Sequence, residues 1–244
     1  FSKLSTPPTE EFRDYELPPF ELLHYEEKPE GPTEEDKDEM LEIQQKIIDT
    51  LTTFRVDVTP GDITRGPTIT RYEVYPARGV RVNTFDQYAK DIALATKAES
   101  VNIVAPIPGK DTVGIEIVNR NKVAVPLREL LQDPGFCSPK KKIPLALGKD
   151  VYGRTVIGDL ASMPHLLVAG ATGSGKSVCI NSCLSSMLLK FRPDELRLIL
   201  VDPKVVEMQP YSKLPHLIVP VVTDPKKAAG ALQWAVYEMM KRYK

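Results

Sequence analysis

The sequence has few cysteines, and their spacing builds neither a covalent nor a metal-bound scaffold. Its 244 residues contain an odd number of them, without a CxxC pair or zinc-ligand spacing: Cys137, Cys179 and Cys183. A small disulfide-held fold is therefore excluded, nothing implies a metal site, and a reducing compartment is indicated. Histidine is equally sparse, and the three that occur are scattered, with no nucleophile or ligand pattern around them.

Long apolar runs and a targeting segment are also absent from the sequence. No stretch of about 18 consecutive apolar residues occurs. The N-terminus has neither the basic nor the apolar region of a secretion signal. No internal repeat is apparent. The chain as given is therefore predicted to be soluble and cytoplasmic, with no membrane contact of its own.

The formal net charge of −1 is small because two unlike parts of the chain cancel. Residues 1–42 hold 14 acidic against 4 basic side chains, and the remaining residues hold 19 acidic against 28 basic ones. Such an asymmetry is typical of an acidic interaction tail or of a body that faces a polyanion.

The acidic N-terminal part, residues 1–33, is predicted to be a linker. It contains six prolines among acidic residues, a composition that buries too little apolar surface to offset the entropy of ordering. Within it, the segment from Tyr15 to Leu23 is locally apolar. Two alternatives stay open for this segment: an extended strap docked on the body, or an unstructured tail.

Residues 34–145 are predicted to form a small α+β domain. A first amphipathic helix is expected behind Thr33 and Asp36, which form a capping pair, and a second behind Thr84 and Gln87. A turn is expected at Pro60-Gly61. Short strands, rich in Thr, Tyr, Val and Ile, are expected at residues 54–58, 68–75, 101–105, 113–118 and 123–125.

Residues 146–244 change to apolar runs that are each followed by a helix. Strands are expected at residues 165–169, 196–201 and 217–222, and a helix is expected to open at Asp224 and Pro225. Alternating buried strands and helices indicate βαβ units and a parallel sheet, so the fold class is α/β. Three strands are few for a doubly wound domain, and the segment is expected to be a truncated one.

An eight-residue stretch fits G-x-x-x-x-G-K-[ST], the phosphate-binding P-loop: Gly170, Ala171, Thr172, Gly173, Ser174, Gly175, Lys176 and Ser177. Its glycines let backbone N–H groups approach phosphates, and the following helix adds the positive end of its dipole. Lys176 is predicted to bring its charge to the β- and γ-phosphates, and Ser177 to bind the Mg²⁺ of ATP. All eight residues are predicted to bind the nucleotide.

A weaker signal is the apolar run Leu198 to Val201, which ends in Asp202. Two alternatives stay open for this carboxylate: a Walker-B metal ligand, or a side chain that orients a turn. Against the first, the run is the first apolar strand after the P-loop helix, and Pro203 follows in place of an acidic base. No catalytic residue is therefore assigned firmly, with Lys176 the candidate for stabilising charge on the transferred phosphate.

Further segments, together with the P-loop, form a specific pattern. They are Gly66-Pro-Thr-Ile-Thr-Arg-Tyr-Glu-Val74, Ala105-Pro-Ile-Pro-Gly-Lys110, Leu147-Gly-Lys-Asp150, Met163-Pro-His-Leu-Leu-Val-Ala169, Val201-Asp-Pro-Lys204 and Leu214-Pro-His216. With them the chain resembles, from about Tyr15 onward, the FtsK/SpoIIIE family of bacterial DNA translocases.

The resemblance implies an FtsK-type α domain at 34–145 and, at 146–244, the N-terminal part of a RecA-like motor domain. It implies a homo-hexameric ring that uses ATP to pump double-stranded DNA during chromosome segregation and cell division. It also implies a parent protein on the cytoplasmic side of the bacterial inner membrane. The family's Walker-B box corresponds to no segment of this chain, so the resemblance matches Asp202 to an earlier strand and leaves hydrolysis by this chain open.

Two other functions are weighed against this one. The first is a secretion or conjugation pump of the same superfamily, moving protein or single-stranded DNA. The second is a module without enzymatic activity that serves ring assembly.

Overall fold

The computed structural model describes residues 12–25 and 31–243, which form two compact units. The P-loop unit contains residues 12–23, 141–145 and 159–243, and the sheet unit contains the other described residues up to 158. Of the predicted linker, residues 1–11 and 26–30 lie outside the described residues. The domain boundaries at 33/34 and 145/146 stay predictions. Among the described residues, no helix is both long and apolar enough to cross a membrane.

The sheet unit begins with helix α1, Glu34–Thr53. Thr33 accepts a hydrogen bond from the N–H of Asp36, and the Asp36 carboxylate accepts one from the N–H of Thr33, so the predicted capping pair is confirmed. Ile47 and Leu51, four residues apart on one face of α1, are fully buried against the sheet. The apolar spacing of α1 therefore supplies one wall of this unit's core.

Four antiparallel strands form the sheet in the order β1-β2-β4-β3. They are β1 (Val58–Arg65), β2 (Ile69–Pro76), β3 (Val101–Val104) and β4 (Val113–Val118), and the short helices α2 (Thr84–Gln87) and α3 (Ala89–Thr96) lie between β2 and β3 in the chain. The predictions at 68–75, 101–105 and 113–118 are confirmed within one residue or so at each end. The core of the unit contains Ile47, Leu51, Tyr72, Val74, Phe85, Ile92, Val113 and Ile115.

The expected strand at 54–58 and the turn at Pro60-Gly61 are wrong. Arg55 takes a left-handed φ of 59° after the end of α1, and β1 starts only at Val58. Gly61 lies inside β1, where the pairing with β2 shifts register, and a Cβ at this position would lie 2.9 Å from the Glu73 carbonyl oxygen. The glycine therefore permits a close approach of two strands at a bulge.

The second predicted helix and the predicted strand at 123–125 also differ from the structure. The second helix is split at Tyr88 into α2 and α3, and its N-cap is Asn83, whose side chain makes no capping hydrogen bond. The segment 123–125 forms no strand, although the N–H of Val123 donates to the Pro67 carbonyl oxygen. This backbone hydrogen bond is not continued by further ones of the kind that pair two strands.

Residues 127–159 contain elements that the sequence patterns do not predict: α4 (Leu127–Leu131), α5 (Pro134–Cys137), and the paired strands β5 (Pro144–Lys149) and β6 (Thr155–Asp159). The turn between the strands is organised by Asp150, whose carboxylate accepts hydrogen bonds from the N–H groups of Tyr152 and Arg154. An aspartate that binds the backbone two residues on is a turn former.

The P-loop unit contains α6 (Lys176–Leu188) and α7 (Pro225–Arg242). The N-cap of α7 is Asp224, which accepts hydrogen bonds from the N–H groups of Lys226 and Lys227, and Pro225 takes the first helical position, as predicted. The buried core of this unit is Leu145, Leu184, Met187 and Met208.

In the described part of the P-loop unit, parallel pairing occurs only as two isolated bridges, Leu198 with Leu217 and Val201 with Val222. Residues 165–169 form no strand in the described part of the chain, and Leu167 is 88% exposed. Strands are defined by hydrogen-bonded partners, and these short pairings provide few of them. The α/β class predicted from the sequence is confirmed. The full-length strands predicted at 165–169, 196–201 and 217–222 are not.

The leading segment of the P-loop unit packs on the rest of that unit. Arg192 donates hydrogen bonds to the backbone carbonyl oxygens of Phe12 and Tyr15, the latter at 2.7 Å. The Tyr15 ring stands edge-on to the buried His216, with 5.8 Å between ring centroids. Docking is therefore seen at Tyr15, the first residue of the segment from Tyr15 to Leu23, and an extended strap over the rest of that segment stays a prediction.

Candidate nucleotide-binding site

The P-loop leads directly into α6. Gly173 and Gly175 both have positive φ angles, of 80° and 92°, and Gly175 is the N-cap of the 13-residue helix. L-residues with side chains rarely adopt this conformation, so glycine is required for the path of the loop. Gly175 has no side chain to cap the helix, which leaves the first N–H groups of α6 available to an anion.

At position 170, glycine is favoured by the closeness of Ser174 and not by the φ angle. A Cβ built on it would overlap the Ser174 Oγ and lie 3.1 Å from the Ser174 Cβ. The N–H of Ser174 also donates to the Ala171 carbonyl oxygen at 3.1 Å, which closes a tight turn around Thr172. Residues 171–175 are exposed, so the loop presents its backbone to solvent.

Lys176 extends back over the loop that precedes it. Its Nζ donates hydrogen bonds to the carbonyl oxygens of Gly170 and Ala171, at 2.8 and 2.9 Å. These contacts hold a full positive charge at the loop, on the side where the helix dipole is also positive. The loop, the helix end and the ammonium group therefore converge on one anion-binding position.

Ser177, the next residue of α6, donates its hydroxyl proton to the Oε1 of Glu207 at 2.6 Å. The sequence patterns do not predict this contact, because Glu207 lies 30 residues away in an irregular segment and belongs to no motif. The only hint in the sequence is that it follows Asp202 by five residues.

Asp202 organises the turn that follows it. Its Oδ2 accepts hydrogen bonds from the N–H groups of Val206, Glu207 and Met208, each at 3.0 Å. The N–H of Met208, followed by the other backbone donors, lowers the pKa of this carboxyl group below its ordinary value. These contacts are those of the turn-orienting alternative. A direct metal role for Asp202 stays untested.

The arrangement fits a nucleoside triphosphate that carries its own cation. Within residues 12–25 and 31–243, no group of three or more His, Cys, Asp or Glu side chains could hold a metal ion. At nucleotide sites Mg²⁺ is usually bound with phosphate oxygens among its ligands. The Ser177 hydroxyl beside the phosphate loop is a suitable protein ligand.

The close contact at Gly170 makes a first prediction. Gly170→Ala is expected to weaken binding of an ATP analogue about tenfold, because the added methyl group displaces Ser174 and with it the loop N–H groups. Fluorescence titration with a labelled nucleotide measures this. The matched comparison is Gly170→Ala in a Ser174→Ala background, where the overlapping Oγ is gone. Equal losses in both backgrounds would contradict the contact as the cause.

Two family models match this chain, and together they cover most of it. The model of the FtsK alpha domain matches residues 17–119, and that of the FtsK/SpoIIIE family matches residues 126–244. The chain belongs to the FtsK/SpoIIIE family. With the P-loop geometry, membership of this family implies nucleotide binding.

Curated relatives agree with this family over nearly the whole chain. The DNA translocase FtsK of Clostridium tetani is 50% identical over 231 residues, which is 95% of this chain and 31% of the relative. The DNA translocase SftA of Bacillus subtilis is 48% identical over 83% of this chain and 21% of its own length. The FtsK/SpoIIIE chain described here thus spans less than a third of the length of these relatives.

A solved structure of the pCW3 conjugation coupling protein TcpA, a monomer form with ATPgS, is 18% identical over 83% of this chain and 56% of its own, with a TM-score of 0.40. That similarity is too low for an argument about fold or function.

Proposed function

We propose that this chain binds ATP through residues 170–177 and forms the ATP-binding part of a DNA translocase. The observation that carries the proposal is the phosphate loop itself: left-handed Gly173 and Gly175, an uncapped helix N-terminus, and Lys176 held over the loop. The names of the curated relatives, all DNA translocases, support the same activity for the whole protein.

Each site residue has a separate task in the proposed complex. Backbone N–H groups of residues 173–177 donate hydrogen bonds to the phosphate oxygens, since residues 171–175 are exposed and the helix N-terminus is uncapped. Lys176 exchanges its two carbonyl contacts for β- and γ-phosphate oxygens, which are stronger acceptors because they are charged. Ser177 supplies a hydroxyl oxygen to Mg²⁺, and Mg²⁺ when bound neutralises phosphate charge.

Pumping of double-stranded DNA, a hexameric ring, and a role in chromosome segregation and cell division are proposed for the whole protein. Family membership and the relatives' names support them. The excess of basic side chains after residue 42 is consistent with a polyanion partner. A parent protein at the inner membrane belongs to the same proposal.

Calorimetric titration with a nonhydrolysable ATP analogue tests the nucleotide site directly. One analogue is expected to bind per chain, with higher affinity in the presence of Mg²⁺ than in excess chelator. Lys213→Ala is the matched control: it removes an exposed lysine of the same unit, outside the loop, and leaves the affinity unchanged. A folded chain that takes up no analogue with Mg²⁺ would overturn the proposal.

A further inference from the structure

Glu207 is a carboxylate in contact with the P-loop that none of the sequence motifs contains. Its Oε1 accepts the Ser177 hydroxyl proton at 2.6 Å, within the P-loop unit. A serine hydroxyl has one proton and two lone pairs. When the proton points at Glu207, the lone pairs of the Oγ point elsewhere, and they are what a cation would bind.

The segment that carries Glu207 is held in place by the carboxylate of Asp202. The Asp202 carboxylate accepts three consecutive backbone N–H groups, among them that of Glu207 itself. Asp202 is 6% exposed, so these hydrogen bonds are largely shielded from water. The position of the Glu207 backbone is therefore set by a buried carboxylate and does not depend on the contact that its side chain makes.

Two contacts also attach this segment to α6, the helix that carries Ser177. Met208, adjacent to Glu207, is buried in the core with Leu184 and Met187 of the helix. The Tyr211 hydroxyl donates to the Asn181 Oδ1 at 2.9 Å, one helical turn beyond Ser177. Glu207 and Ser177 therefore belong to one packed assembly, in which their separation is set by the surrounding contacts.

We propose that Glu207 is a positioning residue for the divalent cation of the nucleotide, acting through Ser177, and that Asp202 positions Glu207 in turn. The inference rests on the proposed ATP site and assigns a residue outside the phosphate loop to it. A carboxylate that accepts the proton of a metal ligand orients that ligand and raises its basicity. Its negative charge near the cation acts in the same direction.

The expected effect concerns the cation and not the phosphates. Loss of an outer partner of a metal ligand typically costs about 10- to 100-fold in metal affinity. Because Glu207 is exposed, we expect the effect of Glu207→Ala to lie at the lower end of this range, with cation affinity reduced about tenfold. Nucleotide affinity in excess chelator is expected to stay constant or to rise, since a negative charge near the phosphates is removed.

Electron paramagnetic resonance with Mn²⁺ as the probe measures the cation directly. Free Mn²⁺ is titrated against the full chain saturated with a nonhydrolysable ATP analogue, so no turnover is needed. Glu207→Gln keeps an oxygen acceptor without the charge and is expected to lie between wild type and Glu207→Ala. Glu99→Ala, which removes an exposed carboxylate of the sheet unit, is the matched control and should bind Mn²⁺ as wild type does.

Asp202 is tested by comparison with a second carboxylate of the same structural kind. Asp159 also accepts three backbone N–H groups, those of Lys142, Ile143 and Ala161. Asp202→Ala and Asp159→Ala are both expected to lower the melting temperature, but only Asp202→Ala should reduce the affinity for Mn²⁺. The double variant of Asp202 and Glu207 should lose no more Mn²⁺ affinity than Glu207→Ala alone, because both act through one contact.

The outcomes separate this inference from the proposed ATP site. If wild type binds no analogue, the site itself is wrong. If wild type binds analogue and Mn²⁺, and Glu207→Ala matches it in both, the site stands and the role of Glu207 is refuted. Tighter Mn²⁺-nucleotide binding by Glu207→Ala would also refute it, because Glu207 would then be a competitor for Ser177. A loss in Asp159→Ala equal to that in Asp202→Ala would make the effect of Asp202 merely structural.

Discussion

Lys176→Ala is expected to lower the affinity for an ATP analogue on the order of 100-fold, the largest effect of any single change in the loop. The ammonium group is already held over the loop by the carbonyl oxygens of Gly170 and Ala171, so little ordering is needed when phosphate replaces them. Its removal deletes charge-assisted hydrogen bonds and leaves two carbonyl oxygens facing the anion. Calorimetric titration in the presence of Mg²⁺ measures the loss.

The control for this prediction is a lysine of the same unit with no loop contact. Lys213→Ala removes the same charge from the P-loop unit and is expected to bind the analogue as wild type does. Lys176→Arg keeps the charge but replaces a compact ammonium group by a planar fork, so only partial recovery is expected. Equal affinities of Lys176→Ala and Lys213→Ala would place the nucleotide elsewhere.

Phe85→Ala is expected to destabilise the sheet unit by about 3–5 kcal/mol, a large share of the stability of an ordinary domain. The ring is fully buried and packs in the cluster that includes Ile47, Tyr72 and Ile92. Truncation removes its apolar contacts and leaves a cavity that α2, only four residues long, fills poorly. Chemical denaturation followed by circular dichroism, with hydrogen exchange read at β2 and β4, measures the change.

Leu94→Ala provides the matched comparison for this core position. Leu94 lies on the neighbouring helix α3 and is 81% exposed, so its truncation should change the free energy of unfolding by less than about 0.5 kcal/mol. Similar losses for the two variants would show that burial does not decide the stability of this unit.

Local signals in the sequence predict part of the fold well. The pair Thr33 and Asp36 sets the start of α1, and Asp224 with Pro225 sets the start of α7, because capping depends on neighbours within three residues. The strand at 68–75 follows from its Thr, Tyr and Val content. Pro60-Gly61 does not form the predicted turn. The glycine is instead needed because the backbone of Glu73 on the facing strand approaches too closely for a Cβ.

Features that depend on distant partners are not predictable in the same way. The apolar run 165–169 reads as a strand, but strands need partners and the described residues supply none for it. The phosphate loop is predicted because its pattern is contiguous. Glu207 is missed because its contact with Ser177 joins segments 30 residues apart, and a lone glutamate in a loop is usually solvated.

The docking of residues 12–15 by Arg192 and His216 has a consequence for the order in which the chain acquires structure. The partners of this segment are made about 180 residues later, whereas the four-stranded sheet needs only residues up to 118. During synthesis from the N-terminus, the sheet unit can therefore close first, while the leading segment waits for its partners.

The same connectivity determines what a break in the backbone does. Any single cleavage between residues 31 and 140 falls within the sheet unit, yet it also divides the P-loop unit into a short leading piece and a long remainder. After such a nick, the contacts that Arg192, Arg197 and His216 make with Phe12 and Tyr15 help to hold the leading piece on the remainder, together with the strand pairing of the sheet unit. The P-loop unit thus contains three chain segments, and noncovalent contacts join the first of them to the other two.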